Sequence, residues 1–234
     1  DKFNFAFDIV DRIADRRPDK LAMLHLDHDK NERRFTFGDL KRESSRCANY
    51  FTALGIKKGD RVMLVLKRHY QFWIAILALH KIGAIAIPAT NLLQAHDYEY
   101  RFSAAGVSAI LCSADGDIAH QADLGSANAA ELKNKIIVGG SRDGWRNFDE
   151  EVKSYSDVFE RQSDSPCGDD SMLMYFTSGT TGQPKGVLHD HAFTLANHWG
   201  ARYMQDTHDG SLHFATGDTG WEVVSGTKFY GQWL

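Results

Sequence analysis

The sequence predicts an α/β protein of three layers, with helices covering both faces of a largely parallel sheet. Three observations predict it. Short apolar runs recur along the chain, separated by stretches with helical periodicity. Several of those runs show little alternation of apolar and polar residues, as strands buried on both faces do. Glycine or proline closes many of the segments. Right-handed crossovers between such strands place helices on both faces.

Each element has its own reason. Ile9, Val10 and Ile13 share a helical spacing, so a helix is predicted over 5–17. Leu21 to Leu26 reads as a strand, and Arg33 to Phe37 as a second after a polar turn. Thr36 and Asp39 make a capping-box pattern. It starts a helix that Gly55 ends. Arg61 to Leu66 is an unalternated strand. A helix over 70–81 carries Trp73, Ile76, Leu77 and His80, and a short buried strand over 84–87 stops at Pro88. Then come a helix (95–105), a strand (107–112), a helix (118–133), a strand (135–138) and a helix (147–155). Residues 164–170 read as a linker. Met172 to Phe176 is a buried strand leading into a loop of small residues, and Ser211 to Ala215 is a further strand. Two units are expected: an N-terminal α/β subdomain over 1–165, and the start of a second, cut short, over 166–234.

Composition excludes several classes. The 234 residues are 43% hydrophobic and 25% charged, which is ordinary globular usage and excludes a disordered chain, a collagen or a coiled coil. A net charge of −4 offers no basic field for nucleic acid or an anionic membrane. Cys47, Cys112 and Cys167 lie far apart, with no C-x-x-C. They build no disulfide framework, which fits a reducing, cytoplasmic setting. His80 and Lys81 interrupt the most apolar stretch, so no membrane span is expected. The N-terminus lacks both a signal peptide and an initiator Met, and the C-terminus stops on Trp233-Leu234. Both ends read as cuts in a longer protein. His189, His191, His198, His208 and His213 have no metal-ligand spacing and read as solvent-facing or hydrogen-bonded. No G-x-S-x-G elbow is present.

Ligands of parallel sheets bind at the carboxyl ends of the strands, so the loops that follow strands carry the chemistry. The informative one is Thr177-Ser178-Gly179-Thr180-Thr181-Gly182-Gln183-Pro184-Lys185. Its glycines allow successive backbone N–H groups to face one concavity. Its hydroxyls add donors and Lys185 adds a positive charge. Together they describe a phosphate cradle. It is not a Walker A loop, because Pro184 stands where glycine is required and Gly186 follows the lysine.

This loop resembles the signature phosphate loop of the adenylate-forming superfamily: acyl-CoA synthetases, peptide-synthetase adenylation domains and luciferases. The resemblance extends over nearly the whole chain, through Phe35 to Leu40, Gly55 to Val62, Ala78 to Pro88 and Val187 to His191. It implies that a carboxylate is joined to the α-phosphate of ATP and that a thiol, usually that of CoA, then attacks the acyl adenylate. It also implies that Thr177, Ser178, Gly179, Thr180, Thr181, Gly182 and Lys185 hold the β/γ-phosphates, with Thr177 helping to hold Mg²⁺. A second block, Asp218-Thr219-Gly220-Trp221, reads as a strand-to-helix turn in which Thr219 caps a helix and Trp221 packs in the core. A Trp at the ligand edge can also wall an apolar pocket. The resemblance is to the acetyl-CoA and medium-chain acyl-CoA synthetase branch, where this turn borders the acyl site.

The superfamily's later blocks, including those with the Mg²⁺-binding glutamate, the ribose-binding aspartate and the main catalytic lysine, do not occur here. The expectation is the N-terminal part of an ATP-dependent acyl-CoA synthetase acting on a short- or medium-chain carboxylate, inactive as a piece. Its partners are then the small acid, ATP and CoA, not nucleic acid. The alternatives are an adenylating enzyme that loads an amino or aryl acid onto a carrier protein, and a non-catalytic nucleotide-binding module.

Overall fold

The computed structural model of this chain describes residues 2–178 and 182–234. A π-type stretch, Ala6–Asp11, runs into α1 (Arg12–Arg16). β1 (Leu21–Leu26) and β2 (Glu32–Thr36) pair antiparallel as a separate ribbon. The alternation begins with α2 (Phe37–Ala53), β3 (Arg61–Val65), α3 (Gln71–Ile82) and β4 (Ile85–Pro88). It continues with α4 (Ala95–Ala105), β5 (Val107–Ser113), α5 (Ile118–Gly125), β6 (Asn134–Val138), β7 (Arg146–Asn147) and α6 (Phe148–Glu151). β8 (Ser171–Thr177), β9 (Lys185–Asp190), α7 (Phe193–Trp199) and α8 (Lys228–Trp233) complete it.

The main sheet has the order β7-β6-β5-β3-β4-β8-β9, parallel throughout except that β9 runs against β8. Side chains alternate across each strand, and this sorts the core into two layers. Val62, Leu64, Ala86, Leu111 and Ile136 face the layer of α2 and α3. Met63, Val65, Ile87, Ile110 and Ile137 face Tyr98 and Phe102 of α4 and Ala119 and Ala122 of α5. Both faces of the sheet are covered, as its unalternated strands require.

Local chemistry sets the boundaries. The capping box of α2 is formed: Asp39 N–H donates to Thr36 Oγ1, and Thr36 N–H donates to Asp39 Oδ2. α3 ends at Gly83 in the left-handed region, where an added Cβ would stand 2.9 Å from Pro166 Cβ. α5 is shorter than periodicity suggests. Ser126 donates both its N–H and its hydroxyl to the Asp123 carbonyl and closes the helix.

Three expectations change. Residues 164–170 are not a free linker: Asn4 Nδ2 donates to Pro166 O (2.8 Å), Gly168 N–H to Phe3 O (2.8 Å), and Lys58 pairs with Asp170 (2.8 Å). Beyond them, β8 and β9 extend the sheet of the preceding residues. Ser211 to Ala215 forms no strand, because no described strand lies beside it to complete a ladder, and Leu212 and Phe214 stand exposed. His191 is neither solvent-facing nor hydrogen-bonded through its ring. It is fully buried beside His80, and both of its ring nitrogens lack a partner among the described residues.

This amino edge of the sheet is a buried polar seam. His80 Nε2 meets the Tyr230 hydroxyl at 2.6 Å, and Asn4 Nδ2 donates to the His80 carbonyl. Lys81, fully buried, pairs with Asp11 (2.9 Å) and donates to Ser45 Oγ (3.0 Å). Burial holds His191 down to about 4; Asp170 and Asp190 pull it up, while Lys58 and Arg161 push it further down. Burial and the neighbouring His191 hold His80 well below its ordinary range.

Both rings are therefore neutral in the fold, while the unfolded chain titrates near 6.5. Stability is complete above pH ~6.5 and falls as the pH drops toward 4, because the unfolded state takes up protons first. A displacement like that of His191 is worth about 3 kcal/mol once the pH is below both values. The urea midpoint of the intact protein should fall between pH 7 and pH 4.5 at constant salt. His191→Asn should flatten that profile; an unchanged profile in the variant would show that His191 does not carry the effect.

Candidate functional site

Because β3, β4, β5 and β8 are parallel, their carboxyl ends share one edge, and the loops leaving them converge there. β8 is buried through Tyr175 and emerges at Thr177. The chain returns as β9, with Lys185 opposite Thr177 in the ladder. The candidate phosphate loop is thus the tip of an antiparallel hairpin. Thr177, Ser178, Gly182 and Lys185 are all exposed. The Thr177 hydroxyl donates to the Lys185 carbonyl at 3.4 Å. Gly182 has a φ of +123°, and a Cβ there would meet nothing within 4 Å. Among the described residues Lys185 has no ion-pair partner, so its charge faces open solvent at the mouth of the hairpin. Gly179, Thr180 and Thr181, also expected in the cradle, lie outside the described residues.

The second block sits at the same edge, with different roles from those expected. Asp218, not Thr219, makes the turn: its Oδ1 accepts the Gly220 N–H at 2.6 Å. Thr219 is buried, and its hydroxyl donates to the Lys67 carbonyl. Trp221 is 63% exposed and does not pack in the core. The reason is Gly220. Its backbone lies so close to the end of β4 that a Cβ would stand 2.2 Å from Ala89 C and Thr90 N. With Gly220 and Thr219 pressed onto the sheet, Trp221 turns outward. The Tyr175 hydroxyl meets Ser225 Oγ at 3.0 Å. The structure thereby joins the strand that feeds the hairpin to the residues that follow Trp221.

Residues absent from the sequence reading hold these loops. Lys67 and Arg68 follow β3. Lys67 has a left-handed φ of +48° and accepts from Thr219, and Arg68 donates to the Thr216 carbonyl at 2.5 Å. The crossovers from the neighbouring strands β3 and β5 lead apart here, β3 through α3 to β4 on one side and β5 through α5 to β6 on the other. A cavity of about 130 Å³ opens at this point, lined by Lys67, Leu93, Asp115, Asp117 and Gln121. His69 Nε2 meets Asp115 Oδ2 at 2.8 Å. Partial burial raises the Asp115 carboxyl, but the His69 hydrogen bond and the charges of His69 and Lys67 outweigh it and hold it below the usual range. On the other arm, Tyr100 of α4 donates to the Pro184 carbonyl at 2.7 Å. The Arg101 guanidinium lies over the Phe176 ring, 5.3 Å from its centroid. The rule that ligands collect at the carboxyl ends of strands would have flagged Lys67 and Arg68. Nothing in the local sequence marks Tyr100.

An α/β protein with its ligand edge built from a glycine- and hydroxyl-rich hairpin and a docked Asp-Thr-Gly-Trp turn is the class these features define. The chain belongs to the AMP-binding enzyme family, which matches residues 10–221. It is similar to the acyl-coenzyme A synthetase ACSM5, mitochondrial, of Rattus norvegicus, with 34% identity over 97% of this chain and 40% of that protein. It is also similar to the acyl-coenzyme A synthetase ACSM3, mitochondrial, of Mus musculus, with 33% identity over 99% of this chain and 40% of that one. The chain thus spans about two fifths of the length of these curated relatives. Its fold is that of the Brucella canis acyl-CoA synthetase (TM-score 0.84, 24% identity, 98% of this chain and 42% of that one). The same holds for the anthranilate CoA ligase AuaEII in complex with anthranoyl-AMP (TM-score 0.84, 22% identity, 99% and 43%).

The docking of Gly220 is testable. Gly220→Ala should cost about 1–3 kcal/mol, since its new methyl meets backbone that cannot rotate away. Denaturant titration of the intact protein reads the loss, and an unchanged midpoint would mean that the turn is not pressed onto β4.

Proposed function

We propose that this chain is the ATP-phosphate-binding part of an acyl-CoA synthetase that activates a short- or medium-chain carboxylate as its acyl adenylate and passes the acyl group to CoA. The observation that carries it is the hairpin whose described residues Thr177, Ser178, Gly182 and Lys185 are exposed, at the carboxyl edge of the sheet and beside the docked Asp218–Trp221 turn. The names of the rat and mouse relatives support the same reading. The 166–234 segment then begins a second α/β unit after the first one over 1–165, although its two strands extend the first sheet.

The chemistry suits these residues. A carboxylate is already ionised near pH 7, so the first step needs no general base at that oxygen. It needs the charge on the triphosphate neutralised and the reactants held in line. Lys185 offers a cation with no competing partner among the described residues, and Thr177, Ser178 and the glycines offer hydroxyl and backbone donors. Phosphates would be held by Thr177, Ser178, Gly179, Thr180, Thr181, Gly182 and Lys185. The carboxylate's apolar tail would lie toward the Asp218–Trp221 turn, with the exposed Trp221 ring as one wall.

The resemblance implies that Thr177, whose side chain is exposed, would help to hold Mg²⁺; among the described residues no group of three or more His, Cys, Asp or Glu side chains is placed to hold a metal. That suits an ion that keeps most of its water and binds chiefly through phosphates. When bound there, Mg²⁺ would supply charge neutralisation at the phosphate oxygens. For location we propose the cytoplasm, on the dispersed free cysteines. No described helix is long and apolar enough to cross a membrane. The rat and mouse relatives are named mitochondrial, so cell fractionation is the deciding measurement.

In the full-length protein, Lys185→Ala should lower kcat/KM for ATP by roughly 10–100-fold while leaving the unfolding midpoint in place. ATP–pyrophosphate exchange measured with a panel of carboxylic acids reads it, and unaltered ATP use would remove Lys185 from the site. Exchange should require Mg²⁺, stop on chelation, and be absent from residues 1–234 alone.

A further inference from the structure

The return arm of the hairpin is poorly supported by the sheet. β9 is the last strand in the order, and Lys185 to Leu188 are exposed along it. At its start stands Pro184, which has no N–H and whose only backbone polar group is its carbonyl. That carbonyl accepts the Tyr100 hydroxyl at 2.7 Å. The Pro184 carbonyl and the Lys185 N–H belong to one planar peptide unit. Whatever fixes the carbonyl therefore fixes the plane from which the Lys185 side chain departs.

Tyr100 can do this because α4 is rigid. Asp97 and Gln94 form the capping box at its start, and Tyr98 and Phe102 are sunk in the core on either side of Tyr100. The next residue, Arg101, holds the outgoing arm. Its guanidinium is bound by Asp97 Oδ1 (3.2 Å) and lies over Phe176, whose ring also meets the Tyr100 ring edge-on at 6.3 Å. One helix turn thus grips both arms of the hairpin just before its tip.

The geometry points to Tyr100 as the positioning residue for Lys185: its hydroxyl, through the Pro184 carbonyl, aims the lysine at the triphosphate. The inference rests on the reading of the hairpin as an ATP-phosphate loop. Tyr100 does not itself touch the nucleotide; it acts through Lys185.

The test is a double-mutant cycle in the full-length protein. Tyr100→Phe removes only the hydroxyl and keeps the ring against Phe176. It should lower kcat/KM for ATP by about 5–20-fold and weaken ATP binding by calorimetry, as expected when a charged group is aimed wrongly. The KM for the carboxylate and the unfolding temperature should stay in place. In the Lys185→Ala background the same change should do nothing further, because the lysine it positions is gone. A general structural role would lower activity by the same factor in both backgrounds, and that result overturns the inference. So does a Tyr100→Phe protein with normal ATP kinetics when Lys185→Ala is impaired; the phosphate-loop reading then stands and the positioning role alone falls. If Lys185→Ala is itself normal toward ATP, both fall.

Discussion

The site depends on one seam, the parallel alignment of β8 against β4. Leu173 stands opposite Ala86, and this polarity delivers Thr177 to the edge where β3, β4 and β5 also end. An antiparallel β8 would carry its loop to the opposite edge, away from the Asp218–Trp221 turn. Register matters as much as direction. Tyr175 faces the layer with Ser225, while Phe176 faces α4, with Tyr100 and Arg101. A one-residue slip would exchange the two faces. The phenol would lose Ser225, and α4 would lose its grip on the hairpin.

The two edges of the sheet are finished in opposite ways. At the amino edge polar groups are buried and mostly paired: Lys81 with Asp11 and Ser45, His80 with Tyr230, Asn4 with two carbonyls. Such pairs are costly to bury. Burial lowers the Lys81 ammonium and raises the Asp11 carboxyl, and their mutual attraction offsets only part of this. What they provide is a fixed meeting of the N-terminal helix, α2, α3 and α8, which an all-apolar contact would define less sharply. At the carboxyl edge the hairpin residues Thr177, Ser178, Gly182 and Lys185 are exposed, and Lys185 has no ion pair among the described residues. The fold closes its hydrogen bonds where position must be fixed and leaves donors open on the hairpin proposed to meet a ligand.

This contrast explains what could be read from the sequence. Elements whose causes are local were legible. The Thr36–Asp39 capping box lies within one helical turn, and the Arg61–Val65 strand announces burial on both faces by its composition alone. The candidate phosphate-loop residues could be singled out because glycines, hydroxyls and a lysine are contiguous; their binding role is the proposal made above. Features that depend on distant partners were not. Leu212 and Phe214 have strand-like spacing, but a strand exists only beside another, and none is described there. Trp221 reads as a core residue until the close approach of Gly220 to Ala89 turns it outward. His191 looks like any polar residue near a helix start, yet it is buried beside His80, far earlier in the chain. Tyr100 reaches a carbonyl 84 positions away, a contact with no trace in either local sequence.

On the proposed reading, the hairpin also limits how this loop could attract an anion. Many phosphate sites lie at the N-terminus of a helix, where aligned peptide dipoles and unpaired N–H groups favour negative charge. Here the chain returns from the tip as β9, whose dipoles alternate and largely cancel. Among the described residues of the loop no helix axis points at the proposed site. The attraction must then come from discrete donors and from the one cation the loop supplies, Lys185. A macrodipole acts over a whole helix terminus and tolerates small shifts. A single ammonium on a flexible stem does not, since its effect depends on where it is aimed. A loop that relies on one lysine therefore needs its backbone fixed at that lysine. Among the described residues, the hydrogen bond from Tyr100 to the adjoining carbonyl is the contact from outside the hairpin that does so.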